Sequence, residues 1–365
     1  MAAIQAAPEK PPGKSGRSTT ASASPGKQFT SQARLDAIRR AQVWMATDIP
    51  SINLKAGPPD SDAFAPDEKV SCDFVKHARG PGMSPKFWCA VTPEDVVKVR
   101  YREHNGKVYG QIAATRLFWA LGFGADHAYP VKVACRDCPW DPWASPERPD
   151  DAPVVLFDPA TIDSKMPGKT LETKPDEGWV WNELDLVDES AGGAPLAQRD
   201  ALKLLAVFVQ HTDTKANNQR LICLDKQFGK GDKHAVAPEC AHPFMMVPDL
   251  GTTFGRATIF SMDAPSSVNF HNWSQTPIWK DTHTEKGNCV GNLRGSVGGT
   301  FENPRISEAG RKFLADLLVQ LSDVQLRDLF DVAGFTRRDP GASIDDWVQV
   351  FKQKRDEIVN RTCSS

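Results

Sequence analysis

Two hydrophobic rhythms divide the chain. From Val70 to Tyr101 apolar and polar residues alternate in short runs, VSCDFV, PKFWCAV and DVVKVRY, rich in β-branched and aromatic residues, and these predict strands. KVYGQIAATRLFWALGF then carries Val108, Ile112, Leu117 and Trp119–Leu121 at helical spacing, with Gly122 as the stop. AYPVKVAC and APVVLF read as further strands around a loop rich in Asp, Pro and Trp, and GWVWNELDLV follows. Upstream, SQARLDAIRRAQVWM (31–45) places Leu35, Ile38, Ala41 and Val43/Trp44 on one helical face, and PSINLKAGPPDSDAFAPDE reads as a linker.

Beyond the connector DESAGGAP the period changes to 3.6. LAQRDALKLLAVFVQH (196–211) predicts a helix, QRLICL and PFMMVPDL two short strands, and 252–304 has little pattern. SEAGRKFLADLLVQLSDVQLRDLFDVA and SIDDWVQVFKQKRDEIVNRT predict closing helices, with Ser307 and Ser343 as N-caps before acidic first turns. An antiparallel sheet with one helix, followed by a mainly helical half, is an α+β arrangement with a cleft expected between the halves. The expected segments are a disordered leader (1–32), a helix and linker (33–67), a sheet-rich N-terminal part (68–190) and a helical C-terminal part (191–365).

Composition narrows the partners. A net charge of -2, from 44 Lys and Arg against 46 Asp and Glu, advertises neither a nucleic-acid nor a membrane surface. No apolar run approaches the roughly 18–20 residues of a membrane span, and the N-terminus shows no apolar core of a secretory signal. The eight cysteines point the other way. Cys72 with Cys89, and Cys223 with Cys240, can each face across a hairpin as a disulfide, which would place the protein outside the cytoplasm; free, partly buried thiols are the alternative. Cys135-x-x-Cys138 is open to three readings: a redox pair, half of a zinc site or a local disulfide. A tetrahedral zinc needs two more ligands, and neither a second Cys-x-x-Cys nor a His pair stands at finger spacing.

The chemistry-bearing stretch is HTDTKANNQRLIC (211–223), which interrupts two apolar runs. Phosphoryl transfer needs a carboxylate on the acceptor hydroxyl, oxygen ligands for Mg²⁺ and cations on the nucleotide phosphates. Asp213 suits the first task, and Lys215 neutralises charge beside it. Asn218 offers an uncharged oxygen to a metal. Thirty-one residues on, Asp249-Leu250-Gly251 supplies a second metal carboxylate at a strand end. Upstream, Lys98 lies on a strand followed by a helix, with Arg100 on the same face two residues along as the alternative cation, and HARGPGMSPKF, with Gly80, Gly82 and Ser84, can turn over phosphates. His211 reads as a core histidine bracing the loop, and the ten tryptophans as packing anchors.

On these motifs the chain resembles a divergent member of the protein-kinase-like superfamily, in the style of lipid kinases, secretory-pathway kinases and bacterial persistence-toxin kinases. The resemblance spans about residues 68–335 in motif order. It implies a bilobal fold binding ATP with Mg²⁺ or Mn²⁺ between the lobes, with WNELDLV and its Glu183 near the hinge. It implies catalytic roles for Asp213 and Lys215, metal ligation by Asn218 and Asp249, and nucleotide contacts from Lys98, Gln111, Gly80, Gly82, Ser84 and Glu183. One departure stands out. Where kinases place a helix glutamate against the strand lysine, this chain has Gln111, expected to accept from Lys98 without bringing charge. The leading expectation is an atypical kinase acting on a hydroxyl of a protein, lipid head group, sugar or small molecule. The rivals are a pseudokinase scaffold and a disulfide-stapled secreted module without nucleotide.

Overall fold

The computed structural model describes residues 30–76, 84–145, 147–148, 153–225, 240–255, 267–280, 289–294, 299 and 301–363. The leader through residue 29, and Gly80 and Gly82 of the expected phosphate turn, lie outside the described residues. Helix α1 (Ser31–Arg40) is capped by Thr30, whose side chain accepts from Ala33 N. It is shorter than the 31–45 pattern predicts. Past Ala41 the chain extends because Gln42 exchanges backbone bonds with the strand at Pro243–Met246 (Gln42 N to Pro243 O and Met245 N to Gln42 O, both 2.9 Å). The linker is packed rather than loose: Pro58 and Asp60 accept from the Tyr129 hydroxyl, and Asp62 from Ser164 Oγ.

Strands β1 (Glu68–Val75), β2 (Lys86–Ala90), β3 (Val96–Tyr101), β4 (His127–Arg136) and β5 (Val154–Ser164) close into a barrel in the order β1-β2-β3-β5-β4. The alternating pattern predicts an antiparallel sheet, and four of its pairings are antiparallel; the fifth, β1 with β4, is parallel and makes the closure. Closure removes the two free edges that an open sheet would expose. Period-two alternation fills the interior with Val70, Phe87, Val99, Val133, Phe157 and Ile162. It leaves Lys86, Lys98, Arg100, Thr161 and Asp163 on the outer wall. Helix α2 (Gly106–Ala120), capped by Asn105, packs on that wall, where Thr161 Oγ1 donates to Val108 O at 3.0 Å.

The remaining chain builds a second and larger core. A three-stranded sheet of β6 (Lys169–Thr170), β7 (Arg220–Cys223) and β8 (Pro243–Met246) follows the order β6-β7-β8. The short pair β9 (Cys289–Val290) and β10 (Arg305–Ile306) lies apart from it. Around them stand α3 (Leu196–Phe208), α4 (Phe270–Gln275), α5 (Glu308–Leu318), α6 (Asp323–Val332), α7 (Phe335–Arg338) and α8 (Ile344–Val359). Ser307 and Ser343 cap α5 and α8 as their patterns predict. The continuous pattern over 307–333 breaks at Ser322, which starts α6 with a capping box to Gln325. Trp273 and Trp347 stack at 5.5 Å between Phe330, Phe335 and Phe351, so these tryptophans anchor packing. All eight cysteines are paired: Cys72–Cys89, Cys135–Cys138, Cys223–Cys240 and Cys289–Cys363. The last pair, between residues 74 apart, was beyond any local pattern.

Candidate active site

Helix α3 delivers the 211–218 loop. Gln210, at φ 52°, turns the chain out of the helix, and His211 N returns to Ala206 O at 2.8 Å. His211 is fully buried and neither ring nitrogen has a hydrogen-bond partner. Burial pushes its pKa down to about 4, so it sits neutral and braces the loop. Three backbone bonds hold the loop to the segment around Asp249. Thr212 N donates to Thr252 O (3.3 Å), Phe254 N to Val209 O (2.7 Å) and Asp249 N to Asn218 O (3.5 Å). Asn218 Nδ2 donates to Asp213 O at 2.7 Å, which turns its side-chain oxygen away from that carbonyl.

Helix α2 is fastened to the Asp249-Leu250-Gly251 turn. Gln111 is fully buried; its Nε2 donates to Pro248 O at 2.8 Å and its Oε1 accepts from Leu250 N at 2.9 Å. Its amide is thus spent on the turn's backbone and not on Lys98, which corrects the expected Gln111–Lys98 contact. Gly110 makes the approach possible, because a Cβ there would lie 2.8 Å from Gly251 O. Lys107 and Gln111, one helical turn apart, share the face turned to this segment.

Five cations gather around the carboxylates. Lys98 Nζ pairs with Asp163 at 2.6 Å, one strand away in direct register. Arg100, 2% exposed, bridges Asp163 (3.1 Å) and Asp249 (3.2 Å). Lys107 Nζ stands 3.2 Å from Asp213 Oδ2 and 3.9 Å from Asp249 Oδ1. Lys86, opposite Arg100 in register, feels burial first and then Arg100 and Lys98, which together bring its pKa down to about 8. Lys215 Nζ lies 3.4 Å from Asp213 Oδ1. Burial alone would raise the Asp249 carboxyl, but Arg100, Lys107 and Lys98 outweigh it and hold the group well below the ordinary carboxylate range. Asp213 is lowered too, Lys107 and Lys215 outweighing burial and the neighbouring Asp249.

The donor set is all oxygen: two ionised carboxylates and one amide carbonyl, the ligands of a hard divalent cation. Asp213 Oδ1 is buried and accepts no hydrogen bond, its nearest cation being the Lys215 ammonium at 3.4 Å, and the ammonium of Lys107 stands within 4 Å of both carboxylates, where one positive charge already serves both. These residues fit Mg²⁺ or Mn²⁺.

Asp213, Lys215, Asn218, Asp249 and Lys98 are therefore brought to one place. Ser84 is buried just ahead of β2. Glu183 is elsewhere. Arg34 donates to its two oxygens at 2.6 and 3.0 Å and Val180 N to one of them at 2.9 Å, so its carboxylate ties the Trp181–Leu186 turn to α1. That removes its carboxylate from the expected nucleotide contacts. No protein-family model and no curated protein sequence matches the chain. One solved structure, described as a Helicobacter pylori proinflammatory kinase CtkA, is similar at 9% identity and a TM-score of 0.40. The match covers 81% of this chain and 95% of that one.

Sequence reasoning missed Lys107 and Asp163 as members of the site, and placed Arg100 only as a second cation on the strand face of Lys98. Signals for them existed. Lys98-x-Arg100 and Thr161-x-Asp163 put polar groups at alternate positions of otherwise apolar strands. Lys107 is a cation in the first turn of a helix, where the macrodipole disfavours it unless an anion lies close by.

Proposed function

We propose that the protein is an atypical kinase that transfers the γ-phosphoryl group of Mg-ATP to a hydroxyl acceptor. The observation that carries this reading is the meeting of Asp213 and Asp249 around one ammonium, beneath a barrel wall bearing Lys86, Lys98 and Arg100. On this reading the barrel with α2 forms one lobe, the helical part the other, and the nucleotide lies between them. Asp249 and Asn218 would hold the metal, which when bound supplies charge neutralisation on the phosphates. Lys98, Arg100 and Lys86 face those phosphates as fixed cations and raise local anion concentration. Asp213, kept ionised by Lys107 and Lys215, accepts the hydrogen of the acceptor hydroxyl and aims its oxygen at phosphorus. Lys215, half exposed, is free to swing toward the transferring charge. The four disulfides suit an oxidising, extracytoplasmic setting. Among the described residues no helix is long and apolar enough to cross a membrane.

A second reading, a nucleotide-binding pseudokinase, draws on the Arg100–Asp249 pair, which already neutralises the proposed metal ligand. Turnover separates the two. Thermal melts with and without Mg-ATP, run beside phosphate release and autophosphorylation, test both on wild type, Asp249→Asn and Asp213→Asn. Stabilisation lost in Asp249→Asn and kept in Asp213→Asn supports the site. A wild-type melt indifferent to Mg-ATP and Mn-ATP rules out both readings.

A further inference from the structure

The sulfurs of the barrel raise a question that phosphoryl transfer does not answer. Cys135-x-x-Cys138 lacks further ligands at finger spacing in the sequence, yet the fold brings two more cysteines to it. Cys72 and Cys135 are directly paired across the parallel β1–β4 seam, and Cys89 comes from β2 on the other side of β1. Cys89 Sγ lies 3.5 Å from Cys135 Sγ, although these two are not bonded to each other. The sulfurs of Cys72, Cys89 and Cys135 all lie within 4.8 Å of one another, and Cys138 is bonded to Cys135. All four residues are at most 1% exposed. Zinc–sulfur bonds of about 2.3 Å put the sulfurs of a tetrahedral site roughly 3.8 Å apart. Cys89 and Cys135 already stand near that spacing, and reduction must part the two bonded pairs to reach it.

We propose that Cys72, Cys89, Cys135 and Cys138 form a redox-controlled zinc site, holding Zn²⁺ through four thiolates when reduced and two disulfides when oxidised. The chemistry balances. Two equivalents of a dithiol reductant give four electrons and four protons to the two disulfides and leave as two disulfides of their own. Zinc then displaces the four thiol protons. A two-electron oxidant of the disulfide class, used twice, reverses the process and expels the ion. Soft, buried, tetrahedral S₄ donors select zinc over hard cations such as Mg²⁺.

What the cluster can constrain differs between its two states. The Cys135–Cys138 bond closes a loop only 3 residues apart in sequence, and the Cys72–Cys89 bond links the neighbouring strands β1 and β2 across 17. Neither bond joins β1 to β4, so neither ties the closing seam of the barrel, and the short loops they close restrict the chain less than a long one would. Zinc would join β1, β2 and the end of β4 at one point, across the 46 residues that separate Cys89 from Cys135. The reduced, metal-bound barrel is then cross-linked at the parallel seam, where the oxidised barrel relies on backbone bonds.

The test uses the full chain, reduced and stripped with a chelator under anaerobic conditions, then given Zn²⁺ alone. Cysteine alkylation read by mass spectrometry locates the ion without any mutation. Protection of Cys72, Cys89, Cys135 and Cys138 by one zinc per chain, lost on adding diamide with release of the ion, is the expected result. Cys223 and Cys240 with Asp225 form another close group, so stoichiometry alone does not place the metal. Protection of that group in place of the barrel four overturns the proposal. So does a reduced, folded protein whose four barrel thiols alkylate equally fast with and without zinc. Cys135→Ser/Cys138→Ser should lose the tetrahedral cobalt–thiolate spectrum of the Co²⁺-loaded protein, while Cys223→Ser/Cys240→Ser keeps it; the reverse pattern also overturns the assignment.

Discussion

Exchanging the amide of Gln111 for a carboxylate asks how α2 and the Asp249 turn communicate. In kinases the helix residue at this place is a glutamate, so Gln111→Glu looks like a repair that should speed turnover. The geometry predicts the opposite. Gln111 Nε2 donates to Pro248 O and Oε1 accepts from Leu250 N, both in a fully buried site. A carboxylate keeps the second bond and loses the first, leaving a buried carbonyl facing a second acceptor. An unpaired buried polar group costs about 1–3 kcal/mol, and more when charge is involved. The introduced carboxyl can escape by staying protonated, since its O–H can then donate to Pro248 O. Its folded pKa therefore rises above the unfolded value of about 4.3. With the folded pKa raised, the variant is least impaired below about pH 4.3, and its deficit grows with rising pH until the folded pKa is passed. Relative to wild type, unfolding free energy should fall by about 2–4 kcal/mol at pH 8 and by a smaller amount at pH 5. Mg-ATP stabilisation should weaken at the same time, because the turn carrying Asp249 loses its fastening. Urea unfolding at the two pH values, with nucleotide melts alongside, measures both. A variant as stable as wild type at pH 8, or one with faster turnover, would refute the assignment of Gln111 as the clamp of the turn.

Lys107→Met removes the ammonium from between Asp213 and Asp249. Nucleotide-free Mn²⁺ binding, read by electron paramagnetic resonance, should tighten on the order of tenfold as a charge-assisted contact of about 1.5–3 kcal/mol disappears, while Mg-ATP affinity falls; weaker Mn²⁺ binding would show that Lys107 does not compete with the metal. Asp213→Asn should keep Mg-ATP stabilisation and lose roughly 10²–10⁴-fold in turnover, and an equal loss of binding would mean that Asp213 holds nucleotide rather than acceptor. His211, its pKa lowered by burial to about 4, takes up its proton in the unfolded chain first. Unfolding free energy should then drop as pH falls from about 6.5 to about 4, by on the order of 3 kcal/mol in all. His211→Phe should flatten that slope, and an unchanged slope would place the effect on other groups.

The parts of this protein that its sequence determined are those set by near neighbours. The 211–218 loop is short, and although its backbone is tied to the Asp249–Thr252 segment, Asp213, Lys215 and Asn218 needed no distant partner to be recognised together. The Ser307 and Ser343 caps and the Cys72–Cys89 pairing are local in the same sense. What tertiary structure decided is what those residues meet. On α2 the spacing of Lys107 and Gln111 puts both on one face, yet a turn of the helix by one residue, about 100°, would aim a different side chain at the sheet. Packing against Gly251 settled that rotation, through the missing Cβ of Gly110, and so sent Gln111 to the Pro248–Leu250 backbone and Lys107 to the carboxylates. Strand register did the same for Arg100 and Asp163, which lie 63 residues apart and meet only because β3 pairs with β5. The parallel β1–β4 closure brought Cys72 and Cys89 to Cys135-x-x-Cys138. Each of these outcomes depends on the free energy of packing whole elements together, and periodicity along one segment carries no record of what another segment will present to it.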